Sequence, residues 1–214
     1  MGFKAILFDL DGTILNTDEM IVKVFEELYR VYRNGVMTPK EQIYYFSGPP
    51  LLDTVKKEFP NQDPNLMVSE FEELSPLYYD KYVSLYPGSR EVLDALKKMK
   101  IKLGVVTNKL RGTALKSLKQ FGLYDFFDVI VALDDVAYPK PNEEGILKAM
   151  SMLKIDDLND VLYVGDNVID YLTALNAGVK SALVVWGPRI LDNKVNPDIK
   201  IKTFKELLDY VKKP

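Results

Sequence analysis

The chain contains neither cysteine nor histidine. Without cysteine there is no thiolate nucleophile, no disulfide framework, and no zinc-ribbon or iron–sulfur ligand set. Without histidine a Ser-His-Asp relay, a phosphohistidine intermediate and a histidine-bound transition metal are excluded too. Catalysis must then rest on carboxylates, lysine, hydroxyls, backbone amides and a hard cation. An excess of basic charge is also missing: 28 basic residues stand against 31 acidic ones, for a formal net charge of -3. No global field draws in a nucleic acid, and a small soluble ligand is the expected partner. No apolar run reaches the roughly 18 residues of a membrane span, and no basic segment followed by an apolar stretch marks an export signal. A cytoplasmic protein without a membrane partner is expected, as monomer or homodimer.

What is present suffices for a core. Of 214 residues, 47% are hydrophobic, enough for one domain, or one domain plus a small insert, without covalent staples. The opening run Phe3-Lys4-Ala5-Ile6-Leu7-Phe8 reads as a buried strand ending in the turn Asp9-Leu10-Asp11-Gly12-Thr13. Similar runs recur at 103–106, 129–132, 161–164 and 182–185. Between them lie helical stripes: Val92, Leu93, Leu96 and Met99; Ala114, Leu115, Leu118 and Phe121; Ile146, Leu147, Met150 and Leu153; and the segment 171–177. Strand alternating with helix predicts an α/β fold, a doubly wound parallel sheet whose ligands bind at the carboxyl ends of the strands.

Residues 16–84 break this rhythm, with helical patterns but no comparable strand. Phe25, Leu28, Tyr29 and Tyr32 share one face, and Phe71, Leu74, Leu77 and Tyr78 another, while Ser47-Gly48-Pro49-Pro50 is a sharp break. The expected organisation is a core domain of 1–15 and 85–214 with a small α-helical cap domain, 16–84, inserted over the strand ends.

Taken singly, the polar residues at those ends have ordinary readings. Asp9 and Asp11 suit a solvated turn, Thr107 a strand end, Lys140 a rigid loop between prolines, and Asp166 and Asp170 the start of a helix. Their shared location changes the reading, because all of them fall on the one rim where a parallel sheet presents its ligands. Carboxylates gathered there repel one another unless cations hold them ionised, so the set is self-consistent as a cation-plus-phosphate site.

In their order, Asp9-Leu10-Asp11-Gly12-Thr13, Thr107, Lys140 and Gly165-Asp166 with Asp170 resemble the motifs of the haloacid dehalogenase superfamily, over nearly the whole chain. The resemblance implies that Asp9 is the nucleophile of a phosphohydrolase and also a magnesium ligand, and that Asp11 is its general acid and base. Mg2+ would be held by Asp9, the main-chain carbonyl of Asp11 and Asp166, with Thr13 and Asp170 supporting them. Leu10, Thr107, Asn108 and Lys140 would hold the phosphoryl group, with Asp9 as its acceptor. The family's fourth motif often carries Ser or Thr after its first aspartate, where this chain has Asn167. These roles fit the chemistry: an anionic nucleophile meeting an anionic phosphoryl group needs cations to offset repulsion, and a second carboxyl can pass protons to the leaving oxygen and from water.

Asp11 favours phosphate chemistry over dehalogenation, since a halide needs no acid. The stretches 47–54 and 132–136 are similar to the phosphoglycolate phosphatase group and its bacterial pyrophosphatase branch, which implies a compact phosphorylated substrate. Ser47, Gly48, Lys109 and Arg111 are the candidate substrate contacts. A phosphomutase of the beta-phosphoglucomutase type shares the same residues, and a phospho-accepting receiver domain shares several of them. Both stay open as alternatives.

Overall fold

The computed structural model describes residues 2–190 and 192–211. Residues 1, 191 and 212–214 of the expected core range lie outside them. In chain order the elements are β1 (Ala5–Phe8), β2 (Leu15–Asn16), α1 (Asp18–Tyr32), α2 (Lys40–Ile43), α3 (Leu51–Glu58), α4 (Pro64–Tyr82), β3 (Ser84–Leu85), α5 (Ser89–Lys98), β4 (Lys102–Val106), α6 (Arg111–Gln120), β5 (Val129–Val131), α7 (Glu144–Leu153), β6 (Val161–Gly165), α8 (Val168–Ala177), β7 (Lys180–Val184), β8 (Ile199–Ile201) and α9 (Leu207–Val211). Six strands form a parallel sheet in the order β5-β4-β1-β6-β7-β8. From β1 the chain steps outward through β4 and β5, then returns to the other side of β1 for β6, β7 and β8. The reversal places β1 at the switch point, where the loops after β4 and β6 diverge and leave a crevice.

Both faces of this sheet are covered, so its strands need no polar alternation. Ile6, Phe8, Leu103, Val105, Leu162 and Val164 face one apolar cluster, while Ala5, Leu7, Val129, Val131, Val161 and Tyr163 face another beneath α7 and α8. Gly104 in β4 admits close packing, since a Cβ there would lie 2.6 Å from Leu7 and 2.8 Å from Val129. The expected α/β doubly wound sheet is the fold observed.

The helices α1 to α4 gather about Phe25, whose ring centroid lies 4.8 Å from that of Phe46 and 5.6 Å from that of Phe71. Asp63 caps α4 by accepting from the Asn65 amide, and Pro64 follows as its first residue, where a missing N–H costs nothing. The chain enters and leaves this helical group through β2 and β3, which pair antiparallel with Leu15 opposite Leu85.

Several local expectations shift. Leu77 is 73% exposed and Leu147 44%, although both were expected on apolar stripes. A neighbour one position along a helix turns about 100° away, and Ile146, Met150 and Leu153 already fill the buried face that Leu147 leaves. Strand β8 has no counterpart among the expected runs, because Ile199-Lys200-Ile201 is short and carries a lysine at the sheet edge.

Candidate active site

Asp9 follows β1 directly, at the switch point of the sheet, and is 3% exposed. Its Oδ1 accepts from Lys140 Nζ at 2.7 Å. The same ammonium donates to Asp170 Oδ1 at 2.7 Å and to Tyr163 Oη at 3.0 Å, so its three protons have three acceptors. Asp170 Oδ2 in turn accepts the backbone amides of Asp166 at 3.1 Å and Asn167 at 3.0 Å. Both of its oxygens are thereby engaged by protein. Thr13, fully buried, donates its hydroxyl to Asp166 Oδ1 at 3.1 Å. Thus the loops after β1 and β6 and the segment before α7 bring Asp9, Thr13, Lys140, Asp166 and Asp170 into one hydrogen-bonded group.

Two glycines make this convergence possible. Gly12 has φ +83, and a Cβ there would sit 2.4 Å from Asp166 Oδ2. At Gly165 a Cβ would meet Asp170 at 2.3 Å.

The electrostatics are those of charges removed from water. Burial raises the Asp9 carboxyl, Lys140 pulls it down, Asp170 pushes it up again, and the balance stands at about 6. Asp166 is raised well above the carboxylate range, chiefly by burial. Burial also opposes the Lys140 charge, yet Asp170 and Asp9 hold its ammonium well above the ordinary lysine value. Asp9, Asp166 and Asp170 offer carboxylate oxygens all within 4.8 Å of one another.

The remaining sequence candidates take distinct places. Thr107 ends β4 buried, with its amide on the Val131 carbonyl at 3.0 Å and its hydroxyl accepting the Lys109 amide at 3.2 Å. Leu10, fully buried, accepts the amides of Ile14 and Leu15 at 2.9 Å each and so shapes the turn after β1. The Asn108 side chain binds the backbone of Lys140, while Ser47 and Gly48 reach the site through their carbonyls. Lys109 Nζ straddles Asp11, at 3.0 Å and 2.8 Å from its two oxygens. The Arg111 guanidinium grips both oxygens of Asp135 and the Ile130 carbonyl.

Tyr163, Arg189 and Asp18 belong to the site without having been expected there. Tyr163 is a lone hydroxyl in an otherwise aliphatic strand, and it also donates to the Val106 carbonyl at 2.9 Å. Arg189, in the loop after β7, lies 2.9 Å from Asp166 and also pairs with Asp18. The signal for Arg189 was its position beyond a fifth strand end on the same rim.

The order of these groups along a switch-point sheet matches a known pattern. Residues 6–184 fit the model of the family described as Haloacid dehalogenase-like hydrolase. The chain belongs to this family. It is 41% identical to Pyrophosphatase PpaX of Halalkalibacterium halodurans over 99% of this chain and 98% of that protein. It is 39% identical to Pyrophosphatase PpaX of Bacillus pumilus, covering 97% of this chain and 96% of that one. A solved haloacid dehalogenase-like family hydrolase from Streptococcus pneumoniae superposes with a TM-score of 0.83 at 24% identity, over 97% of this chain and 98% of that chain, and so shares the fold.

The haloacid dehalogenase-like site is suited to a hard divalent cation. Its ion pairs join five carboxylates, those of Asp9, Asp11, Asp18, Asp166 and Asp170, to three cations, Lys109, Lys140 and Arg189. Counted as ionised, these groups leave two negative charges over, and Asp166 Oδ2 accepts no hydrogen bond, though the Arg189 guanidinium lies 2.9 Å away. An oxygen-only donor set with that excess is what a hard divalent cation takes.

Proposed function

We propose that the chain hydrolyses inorganic pyrophosphate, with Mg2+ held by Asp9, Asp166 and the main-chain carbonyl of Asp11, through a phosphoryl group carried transiently on Asp9. Its family membership and its identity to curated relatives make it a phosphohydrolase. The observation that carries the mechanism is the Lys140 ammonium shared between Asp9 and Asp170 at 2.7 Å each, with Asp166 alongside. Pyrophosphate is favoured over other small phosphates by the 41% identity to a pyrophosphatase.

In the first step an Asp9 carboxylate oxygen attacks phosphorus, a new P–O bond forms, and the bond to the leaving oxygen breaks. Lys140 steadies Asp9 and the transferring group, and Thr107 and the amides of Leu10 and Asn108 receive the phosphoryl oxygens. Asp11 supplies the proton for the leaving oxygen. In the second step Asp11 takes a proton from water, whose oxygen attacks phosphorus and restores the Asp9 carboxylate. The bound cation offsets the charge of the phosphoryl oxygens and keeps Asp9 ionised.

Lys109 bears on the choice of substrate. Burial works against its charge, but Asp11 more than compensates and its pKa is raised, so the ammonium persists where the leaving group departs. A fixed cation there suits a leaving group that is itself an anion, as phosphate is. Helices α1 to α4, within the cap range 16–84, would close over a substrate of this size and exclude bulky phosphoproteins.

The test is a substrate panel with and without magnesium, comprising pyrophosphate, phosphoglycolate, sugar phosphates and a chromogenic ester. Multiple-turnover release of phosphate from pyrophosphate, lost on chelation and lost in Asp9→Asn, is the expected result. Turnover by Asp9→Asn at the wild-type rate overturns the mechanism, and preference for an ester overturns the substrate.

A further inference from the structure

Two asparagines each follow immediately on a residue of the site: Asn108 on Thr107, and Asn167 on Asp166. Both side-chain amides are pinned by the core. Asn108 Oδ1 accepts the Lys140 amide at 2.9 Å while its Nδ2 donates to the Lys140 carbonyl at 3.1 Å. Asn167 Oδ1 accepts the Ile169 amide at 3.2 Å and so caps α8. Asn108 has one N–H left and the Asn167 NH2 is still free to donate, and both donate to the same turn of the helical insert. Asn108 Nδ2 donates to the Gly48 carbonyl at 2.9 Å, and Asn167 Nδ2 to the Ser47 carbonyl at 2.8 Å.

The fit is close. An amide flipped at Asn108 would set its oxygen against two carbonyls and its NH2 against an N–H, so its orientation is determined by its neighbours. Gly48 has φ +117, and a Cβ there would lie 2.7 Å from Asn167 Nδ2. Ser47 is 5% exposed. Beside them, Tyr45 Oη accepts the Ile190 amide at 3.0 Å and donates to its carbonyl at 3.1 Å, joining the same segment to the loop that carries Arg189.

We propose that Asn108 and Asn167 are positioning residues, through which docking of residues 44–48 is transmitted to the Lys140 backbone and to the turn between Asp166 and α8. When the segment seats, three bonds hold the Asn108 amide and the Lys140 loop is clamped from both its N–H and its C=O. When it lifts, the clamp loses its outer tie, and Lys140 loosens at a distance from the residues that moved. This inference depends on where 44–48 rests, not on which phosphate is hydrolysed, and its test uses no substrate.

The experiment is amide hydrogen exchange, read residue by residue by NMR on the full chain, for wild type, Gly48→Ala and Asn167→Ser. Serine keeps a short acceptor for the Ile169 amide, and so the helix cap, but cannot span to Ser47. Loss of one such bond is expected to speed exchange across 44–48 by about fivefold to tenfold in either variant, with α8 unchanged in Asn167→Ser. In Gly48→Ala the Lys140 amide also exchanges faster, although that substitution does not touch Lys140. Wild-type exchange across 44–48 in Asn167→Ser, or a loosened 44–48 with an unaltered Lys140 amide in Gly48→Ala, overturns the proposal. Should Gly48→Ala fail to fold, Asn167→Ser alone decides it by the same Lys140 amide.

Discussion

Lys140 donates to Asp170 across 2.7 Å, with 2% of the lysine side chain and 1% of the aspartate exposed. Two charges have been taken wholly out of water here, and the partnership is maintained only while both are present. Lys140→Met removes the cation from between two carboxylates and is expected to destabilise the metal-free protein by about 3 kcal/mol, the usual scale for breaking a buried pair from one side. Because the folded pKa of Lys140 is raised above 10.5, its stabilisation is complete at neutral pH and fades only as pH climbs through that elevated value. Removing Lys140 also removes the charge that pulls the Asp9 carboxyl down, so denaturant melts should show a larger loss at pH 8 than at pH 6, and a loss larger at pH 6 would contradict the assignment.

Asp9 has the opposite bearing on stability. Its carboxyl stands at about 6 in the fold against 3.8 ordinarily, so between those values the native state holds the extra proton and stability falls as pH rises. Above pH 6 the ionised, buried carboxylate is a standing cost in the absence of metal. Asp9→Asn, in which the proposed nucleophile is lost, is therefore expected to be more stable than wild type by about 1–2 kcal/mol at pH 8, with the difference gone by about pH 4. Chelated protein melted at both pH values provides the measurement, and a variant less stable at pH 8 refutes it.

Gly12→Ala tests the turn after β1. Its φ of +83 disfavours any side chain, and the new methyl would lie 2.4 Å from Asp166 Oδ2. A stability loss of about 1–3 kcal/mol is expected from backbone strain, together with weaker magnesium binding as Asp166 gives way. Calorimetric titration with magnesium should detect the second effect, and an unchanged affinity would remove Asp166 from the metal set.

Lys109→Met separates leaving groups. If the ammonium beside Asp11 steadies a departing anion, kcat/KM for pyrophosphate should fall by about a hundredfold, while an ester that releases an uncharged alcohol loses less than about tenfold. Equal losses on both substrates would mean that Lys109 acts only by holding Asp11.

The sheet was legible because parallel strands covered on both faces must be apolar throughout, and runs such as Val161-Leu162-Tyr163-Val164 leave little choice. The residues that meet around Asp9 were legible for a related reason: strand ends of such a sheet share one rim, so Lys140 and Asp166, 131 and 157 positions from Asp9, could be brought together on paper. Arg189 escaped that logic because the loop after β7 offered no acidic or hydroxyl motif to notice. Tyr163 was hidden by its own success as a core residue, since its ring packs under α7 and α8 while its oxygen accepts from Lys140. The pairing of Arg111 with Asp135 could not be read in advance, because its partner belongs to another loop.

Leu15 and Leu85 stand side by side in the two-residue ribbon of β2 and β3. The chain therefore departs from the sheet and rejoins it at a single doorway, whose width is set by strand pairing and not by anything beyond it. A longer or shorter excursion between those leucines would leave every strand of the sheet in register, so the helices between them are free to be rebuilt while the rim that carries Asp9, Lys140 and Asp166 stays as it is.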